Sequence, residues 1–114
     1  MYWEPDKECM AREDLEQLQL ERLQSTLYRV GTHVPFYKKK FDELKFNYDN
    51  VRSLDDLRRL PFTIKQDLRD NYPYGLFAVP LRDVVRVHSS SGTSGQATVV
   101  GYTRNDIKTW SNLV

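Results

Sequence analysis

The stretch VVRVHSSSGTSGQATVVGY, residues 84–102, sets two valine-rich runs on either side of serine, threonine and glycine. β-Branched residues favour extended backbone, so each run predicts a strand. Between them lie seven consecutive small residues, Ser89 to Gly95. Most hairpin loops need only about 2–5 residues. Two readings fit this composition. One is a solvated tip joining a hairpin, because the same residues dominate ordinary turns. The other is a cradle for phosphate, in which glycines let backbone N–H groups come close and hydroxyls add further donors. Ser90, Ser91, Gly92, Thr93, Ser94 and Gly95 supply every part of such a cradle, and the excess length tilts the reading towards it. The loop matches neither common glycine-rich motif. Gly92 and Gly95 are three apart with no lysine after them, unlike the Walker loop, and G-x-G-x-x-G before a helix is absent.

Upstream of this stretch the pattern is helical. Leu20, Leu23, Leu27 and Val30 recur at steps of three and four, the spacing of one helix face. Leu15 and Leu18 widen that face. Glu13 and Asp14 near the start and Arg29 near the end suit the helix dipole, and Gly31 offers a stop. A second helix is expected from Pro35, which is tolerated in a first turn, with Tyr37, Phe41 and Leu44 on one side. Asn47–Asn50 reads as a loop. Ser53 with Asp56 predicts a cap for a short helix bearing Leu54 and Leu57, and Thr63 with Gln66 a capping box before IKQDLRDN. Pro61 and Pro73 bracket that segment. Beyond Pro73, GLFAVP (75–80) reads as a short strand, DVVRVHS as a clearer one and ATVVGY as its partner. Thr103 then caps a helix carrying Ile107 and Trp110. These residues therefore read as α+β: a helical segment over 1–72, then strands and a further helix over 73–114. The last helical pattern runs to Val114 without a stop signal, so a longer parent is expected.

Totals narrow the function classes. The chain has 114 residues, 39% of them hydrophobic, with seven Tyr, five Phe and two Trp, enough for one modest core and unlike a disordered segment. Seventeen basic and sixteen acidic residues are well mixed, leaving a net charge of +1. That balance gives no nucleic-acid or anionic-membrane footprint. No apolar run nears the roughly 20 residues of a membrane span, and MYWEPDKECM is too polar for a secretory signal. The single Cys9 suits a reducing compartment, so a cytoplasmic protein is expected. Two histidines and one cysteine far apart make no metal-ligand spacing.

SSGTSGQAT, residues 90–98, resembles the phosphate-binding signature S-S-G-T-T-G-K-P-T of the adenylate-forming enzymes. LQLERLQSTLYRVGTHVPFYKKKFDE, LRRLPFTIKQDLRDNYPYGLFAVP and VVGYTRNDIKTW look like the N-terminal part of phenylacetate–CoA ligases, and the resemblance runs from about Trp3 to Val114. It implies an α/β fold class, with the helical segment 1–72 leading into 73–114 as the incomplete start of a large α/β ATP-binding domain. The reaction it implies has two steps: ATP and an aryl acid give an acyl adenylate and pyrophosphate, then the thiol of coenzyme A displaces AMP. It also implies that Ser90, Ser91, Gly92, Thr93, Ser94, Gly95 and Gln96 line the ATP phosphates, with Mg²⁺ offsetting charge. Gln96 stands where the family has lysine and Ala97 where it has proline, which weakens phosphate attraction and loosens the loop exit. The adenine and ribose motif, most of the acid pocket and the catalytic residues are expected beyond Val114, so these residues alone should be inactive. The alternatives are a relative for another carboxylate, such as a coenzyme F390 synthetase-like enzyme, or a non-enzymatic helical interaction module.

Other residues invite weaker readings. His88 before the loop could act as a base or phosphate contact, though a strand-end histidine is more often structural. His33 falls in the inter-helix turn, and Lys38, Lys39 and Lys40 read as a solvated helix face. Cys9 has no partner for nucleophilic work. Tyr72, Tyr74 and Phe77 read as packing residues before pocket residues. Open strand edges recruit other chains, so a homo-oligomer, a dimer, is expected.

Overall fold

The periodic leucines build the longest element. In a computed structural model, which describes residues 1–90 and 95–114, helix α2 spans Arg12–His33. A single turn, α1 (Pro5–Glu8), precedes it, and α3 (Pro35–Glu43) and α4 (Lys65–Asp70) follow. Strands β1 (Val84–Ser90) and β2 (Thr98–Thr103) form a two-stranded antiparallel sheet, and α5 (Arg104–Leu113) closes the order. The described architecture is α+β.

The core sits where α2 meets α3. Leu27, Phe41, Phe46 and Val51 are buried together, and Leu20, Leu23, Val30, Tyr37, Tyr48 and Leu60 pack around them. This is the predicted face of α2 with Tyr37 and Phe41 of α3. Fully burying a side chain of this size stabilises by about 1.5–3 kcal/mol. Leu44 does not join in; it caps α3 and is exposed. The chain instead reverses at Lys45, whose φ is 53°, and Phe46 takes the place assigned to Leu44. The Lys45 N–H donates to the Asp42 carbonyl at 3.1 Å and the Phe46 N–H to the Phe41 carbonyl at 2.8 Å. That bond pair ends a helix with a left-handed residue and brings apolar side chains together across the turn. The Phe41 and Phe46 ring centroids are 5.3 Å apart.

Gly31 is not the end of α2, which continues to His33. A Cβ on Gly31 would lie 2.6 Å from the Tyr48 ring, so the glycine makes room for packing. The stop comes from Val34, held at φ −113° and ψ 105°. The following Pro35 disfavours helical backbone in the residue before it and then opens α3. His33 is thus the last residue of α2 and not part of a turn.

Capping follows the predicted chemistry at Ser53 and differs at Thr63. The Asp56 carboxylate accepts from the Arg52 and Ser53 N–H groups at 2.8 and 3.1 Å, at the start of a 3-10 turn over Leu54–Arg59. These backbone donors, joined by the Arg59 guanidinium at 3.0 Å, hold the Asp56 carboxyl below its ordinary pKa, against a smaller opposing effect of burial. In α4 the box is shifted by one residue: Asp67, not Gln66, accepts from the Ile64 N–H at 2.9 Å. Thr63 is bonded to the Tyr37 hydroxyl at 2.6 Å instead, which ties the segment to α3.

Residues 75–80 form no strand. Two of their backbone donors are used locally, Gly75 N–H to the Asn71 carbonyl at 2.8 Å and Phe77 N–H to the Tyr74 carbonyl at 3.0 Å. The segment reaches the sheet through a side chain: Phe77 lies over Gly101 of β2, where a Cβ would sit 2.5 Å from its ring. α5 begins as predicted. The Thr103 hydroxyl accepts from the Asp106 N–H at 3.1 Å, and the Asp106 carboxylate from the Thr103 N–H at 2.9 Å, a complete capping box.

Candidate phosphate-binding loop

The two strands stand as posts under the loop. Their register pairs His88 with Val100, Ser89 with Val99 and Ser90 with Thr98, after an irregularity between Val84 and Arg86. Such an irregularity locally bends a strand and increases its twist. Ser90 and Thr98 are thus the last rung below the loop, and their hydroxyls are hydrogen-bonded to each other. Thr98 and its neighbour Val99 are the buried residues of the sheet. Ser91, Gly92, Thr93 and Ser94 lie outside the described residues. At the far side Gly95 has φ +99°, with no described residue within 4 Å of the place a Cβ would take. This backbone conformation favours glycine. Gly95 and Gln96 are both exposed.

Of the sequence-assigned phosphate contacts, the structure therefore places Ser90 at the loop's neck and Gly95 and Gln96 on its exposed exit. The one related residue outside the assignment is Thr98. Its signal was present in the sequence as the threonine ending the 90–98 signature, but only the strand register makes it the partner of Ser90.

His88 faces aromatic rings. Its ring centroid is 4.9 Å from that of Tyr102 and 5.8 Å from that of Trp110, both edge-on, while Tyr102 and Trp110 stack at 5.6 Å. Edge-to-face contacts of this kind are favourable packing. They fasten β1 to α5 two residues below the loop and support the structural reading of His88. Other sequence candidates disperse. Lys39 pairs with Glu43 at 3.9 Å and Lys40 lies 5.2 Å over the Phe36 ring; Lys38 and Lys39 are exposed and Lys40 is half-buried. Cys9 is exposed. Tyr74 packs on Phe77 at 5.2 Å. An open groove of about 960 Å³ runs from Arg29 and His33 of α2 past Phe77 to Gly101 and Asp106. Among the described residues no helix is long and apolar enough to cross a membrane.

The arrangement of these elements is shared with solved enzymes. The chain superimposes on 2-hydroxyisobutyryl-CoA ligase, in complex with 2-HIB-AMP and CoA in the thioesterification state, with a TM-score of 0.87 and 33% identity. The match covers 96% of this chain and 24% of that one. In the postadenylation state with 2-HIB-AMP the TM-score is 0.80 at 31% identity, over 91% of this chain and 22% of that one. The chain thus shares the fold of the adenylate-forming CoA ligases.

Sequence identity narrows the class. The chain is 52% identical over 107 residues to phenylacetate-coenzyme A ligase of Escherichia coli, covering 94% of this chain and 24% of that protein. It is 51% identical over 114 residues to the phenylacetate-coenzyme A ligase of Thermus thermophilus, covering all of this chain and 26% of that protein. The Pseudomonas putida ligase is 50% identical over 120 residues, at 100% and 27% coverage. Over nearly its whole length, this chain is thus similar in sequence to a part of the phenylacetate-coenzyme A ligases. It spans about a quarter of the length of the curated relatives it matches. No protein-family model matches it.

Proposed function

We propose that these residues form the phosphate-binding part of an ATP-dependent ligase that joins phenylacetate to coenzyme A through an acyl adenylate. The observation that carries this reading is the identity of 50–52% with phenylacetate-coenzyme A ligases over 94–100% of the chain. The structural relative, at 33% identity, is captured with an acyl adenylate and CoA, the two species such a reaction requires.

In this reading an acid oxygen attacks the α-phosphorus of ATP, pyrophosphate leaves, and the CoA sulfur then attacks the acyl carbon to release AMP. The task of this chain is to hold the departing phosphates. Ser90, Ser91, Gly92, Thr93, Ser94, Gly95 and Gln96 are the proposed contacts. Preorganised donors stabilise developing charge without reorganising during the reaction. The positive φ of Gly95 fits a glycine that lets a ligand come close to the backbone. The exposed Gln96 donates hydrogen bonds without adding charge. Mg²⁺ would offset phosphate charge, and no three His, Cys, Asp or Glu side chains gather to hold it among the described residues. The division near residue 72, helices before it and the nucleotide-binding start after it, belongs to the same proposal, as does a cytoplasmic location.

Two experiments test the reading. In a hybrid, this chain replaces the matching segment of the Escherichia coli ligase; ATP–pyrophosphate exchange dependent on phenylacetate is expected. Soluble hybrid with no exchange would sink the phosphate-loop assignment. An acid panel on the whole protein then tests the substrate: turnover of another carboxylate and none of phenylacetate would favour the alternative of a different acid. The 114 residues alone are expected to form no phenylacetyl-CoA, since they span a quarter of the relatives. Self-association through the open strand edges is also proposed, and light scattering that shows only monomer would overturn it.

A further inference from the structure

The hydroxyl pair at the loop's neck carries an inference about a residue outside the assigned contacts. Thr98 is buried, with 8% of its surface exposed. A buried hydroxyl without a partner is costly, and nearly all find one. The partner of Thr98 is the Ser90 hydroxyl, directly across the strand pair. Each hydroxyl has one proton to give and two lone pairs to receive. When Thr98 donates, Ser90 keeps its own proton free for a ligand. When Ser90 donates, its oxygen offers only lone pairs and would repel an anion. An arriving phosphate therefore selects the first arrangement, with the proton of Thr98 on Ser90 and that of Ser90 on the ligand.

We infer that Thr98 is a positioning residue for ATP: it anchors the Ser90 hydroxyl at the neck of the loop and orders the direction in which that hydroxyl donates. The inference rests on the phosphate-loop reading given above and adds a residue to it. It also separates two roles inside the signature. Ser90 meets the ligand, whereas Thr98 acts through Ser90 from a buried place.

The test uses the same hybrid ligase with Thr98→Val, which keeps the shape and removes the hydroxyl, Thr98→Ser, which keeps the hydroxyl, and Ser90→Ala. Thr98→Val should raise the KM for ATP roughly 3- to 10-fold, the worth of about one hydrogen bond, with the KM for CoA unchanged. Thr98→Ser should restore the ATP value. Because Thr98 acts through Ser90, the double variant Ser90→Ala/Thr98→Val should be no worse than Ser90→Ala alone. Additive losses, or a Thr98→Val defect shared equally by ATP and CoA, would overturn the inference and leave Thr98 a packing residue. An unsubstituted hybrid without exchange activity refutes the phosphate-loop reading, and the neck is then decided in the 114-residue chain. There, Thr98→Val should speed amide hydrogen exchange at Ser90 and Gly95, and Thr98→Ser should not. Unchanged exchange in Thr98→Val overturns the anchoring whatever the activity.

Discussion

The helical core and the two-stranded sheet solve opposite problems. Between α2 and α3, Leu27, Phe41, Phe46 and Val51 are buried as one cluster, and Gln24 of α2 donates to the Val51 carbonyl at 2.8 Å to close the layer. In the sheet, β1 has no buried residue and Val85, Val87 and Val100 are exposed. Both of its outer strand edges lack a partner among the described residues. The core carries the stability of this chain. The sheet offers surface and a loop, and Thr98, its buried polar residue among those described, belongs to the neck of that loop. The proposed phosphate contacts are thus held on a thin scaffold clipped to the rest by side chains, Phe77 over Gly101 on one side and Trp110 against His88 and Tyr102 on the other.

The contrast makes a direct demand of mutagenesis. Phe41→Ala should destabilise by about 3–5 kcal/mol, whereas Val87→Ala, on an exposed strand, should stay within about 0.5 kcal/mol. Urea unfolding measures both, and equal losses would erase the distinction. Gly31→Ala comes next. The added methyl would press on the Tyr48 ring at 2.6 Å, and overpacking of this kind costs about 1–3 kcal/mol, partly offset by the better helix propensity of alanine. A raised melting temperature would show that Tyr48 can move aside.

Smaller effects probe the turns and the loop. Lys45→Gly relieves a left-handed residue at the end of α3, worth about 1 kcal/mol of added stability; a lowered urea midpoint would contradict it. Gln96→Lys in the hybrid ligase should lower the KM for ATP about 2- to 5-fold, the scale of one exposed charge-assisted contact. No change would mean that the side chain at this position does not meet phosphate. Asp56 gives the mildest test. Its carboxyl is held below the ordinary value by the Arg52 and Ser53 N–H groups and Arg59, so its contribution is present above the ordinary aspartate pKa. It fades as pH falls through the lowered, folded value. Asp56→Asn should therefore melt lower than the unsubstituted chain at neutral pH, with the gap closing in strong acid.

Much of this was legible in the sequence because the deciding interactions are short-range. Thr103 and Asp106 sit three residues apart and form the box their spacing predicts. The leucine face of α2 needs only helical periodicity, and the valine runs only alternate rows of strand pairing. The resemblance to the phenylacetate–CoA ligases was carried by the loop signature and its flanks together. The misreadings share one cause. Gly31 resembled a helix stop, GLFAVP a strand and Leu44 a core residue, and each was decided by a partner supplied from elsewhere in the chain or by a turn its own residues do not announce. Val34 before Pro35 ends α2 while Tyr48 lies against Gly31, local bonds hold Gly75 and Phe77, and the reversal at Lys45 substitutes Phe46 for Leu44.

By itself, then, the sequence determined which segments could become helix or strand, and which residues carry donors suited to phosphate. Only the tertiary structure decided that Ser90 and Thr98 would form one rung, that Phe77 would cover Gly101, and that His88 would be walled by aromatics. Local patterns report hydrogen bonds closed within a few residues. Which distant side chains meet depends on strand register and on the packing of whole elements, and both are set by burial across the molecule.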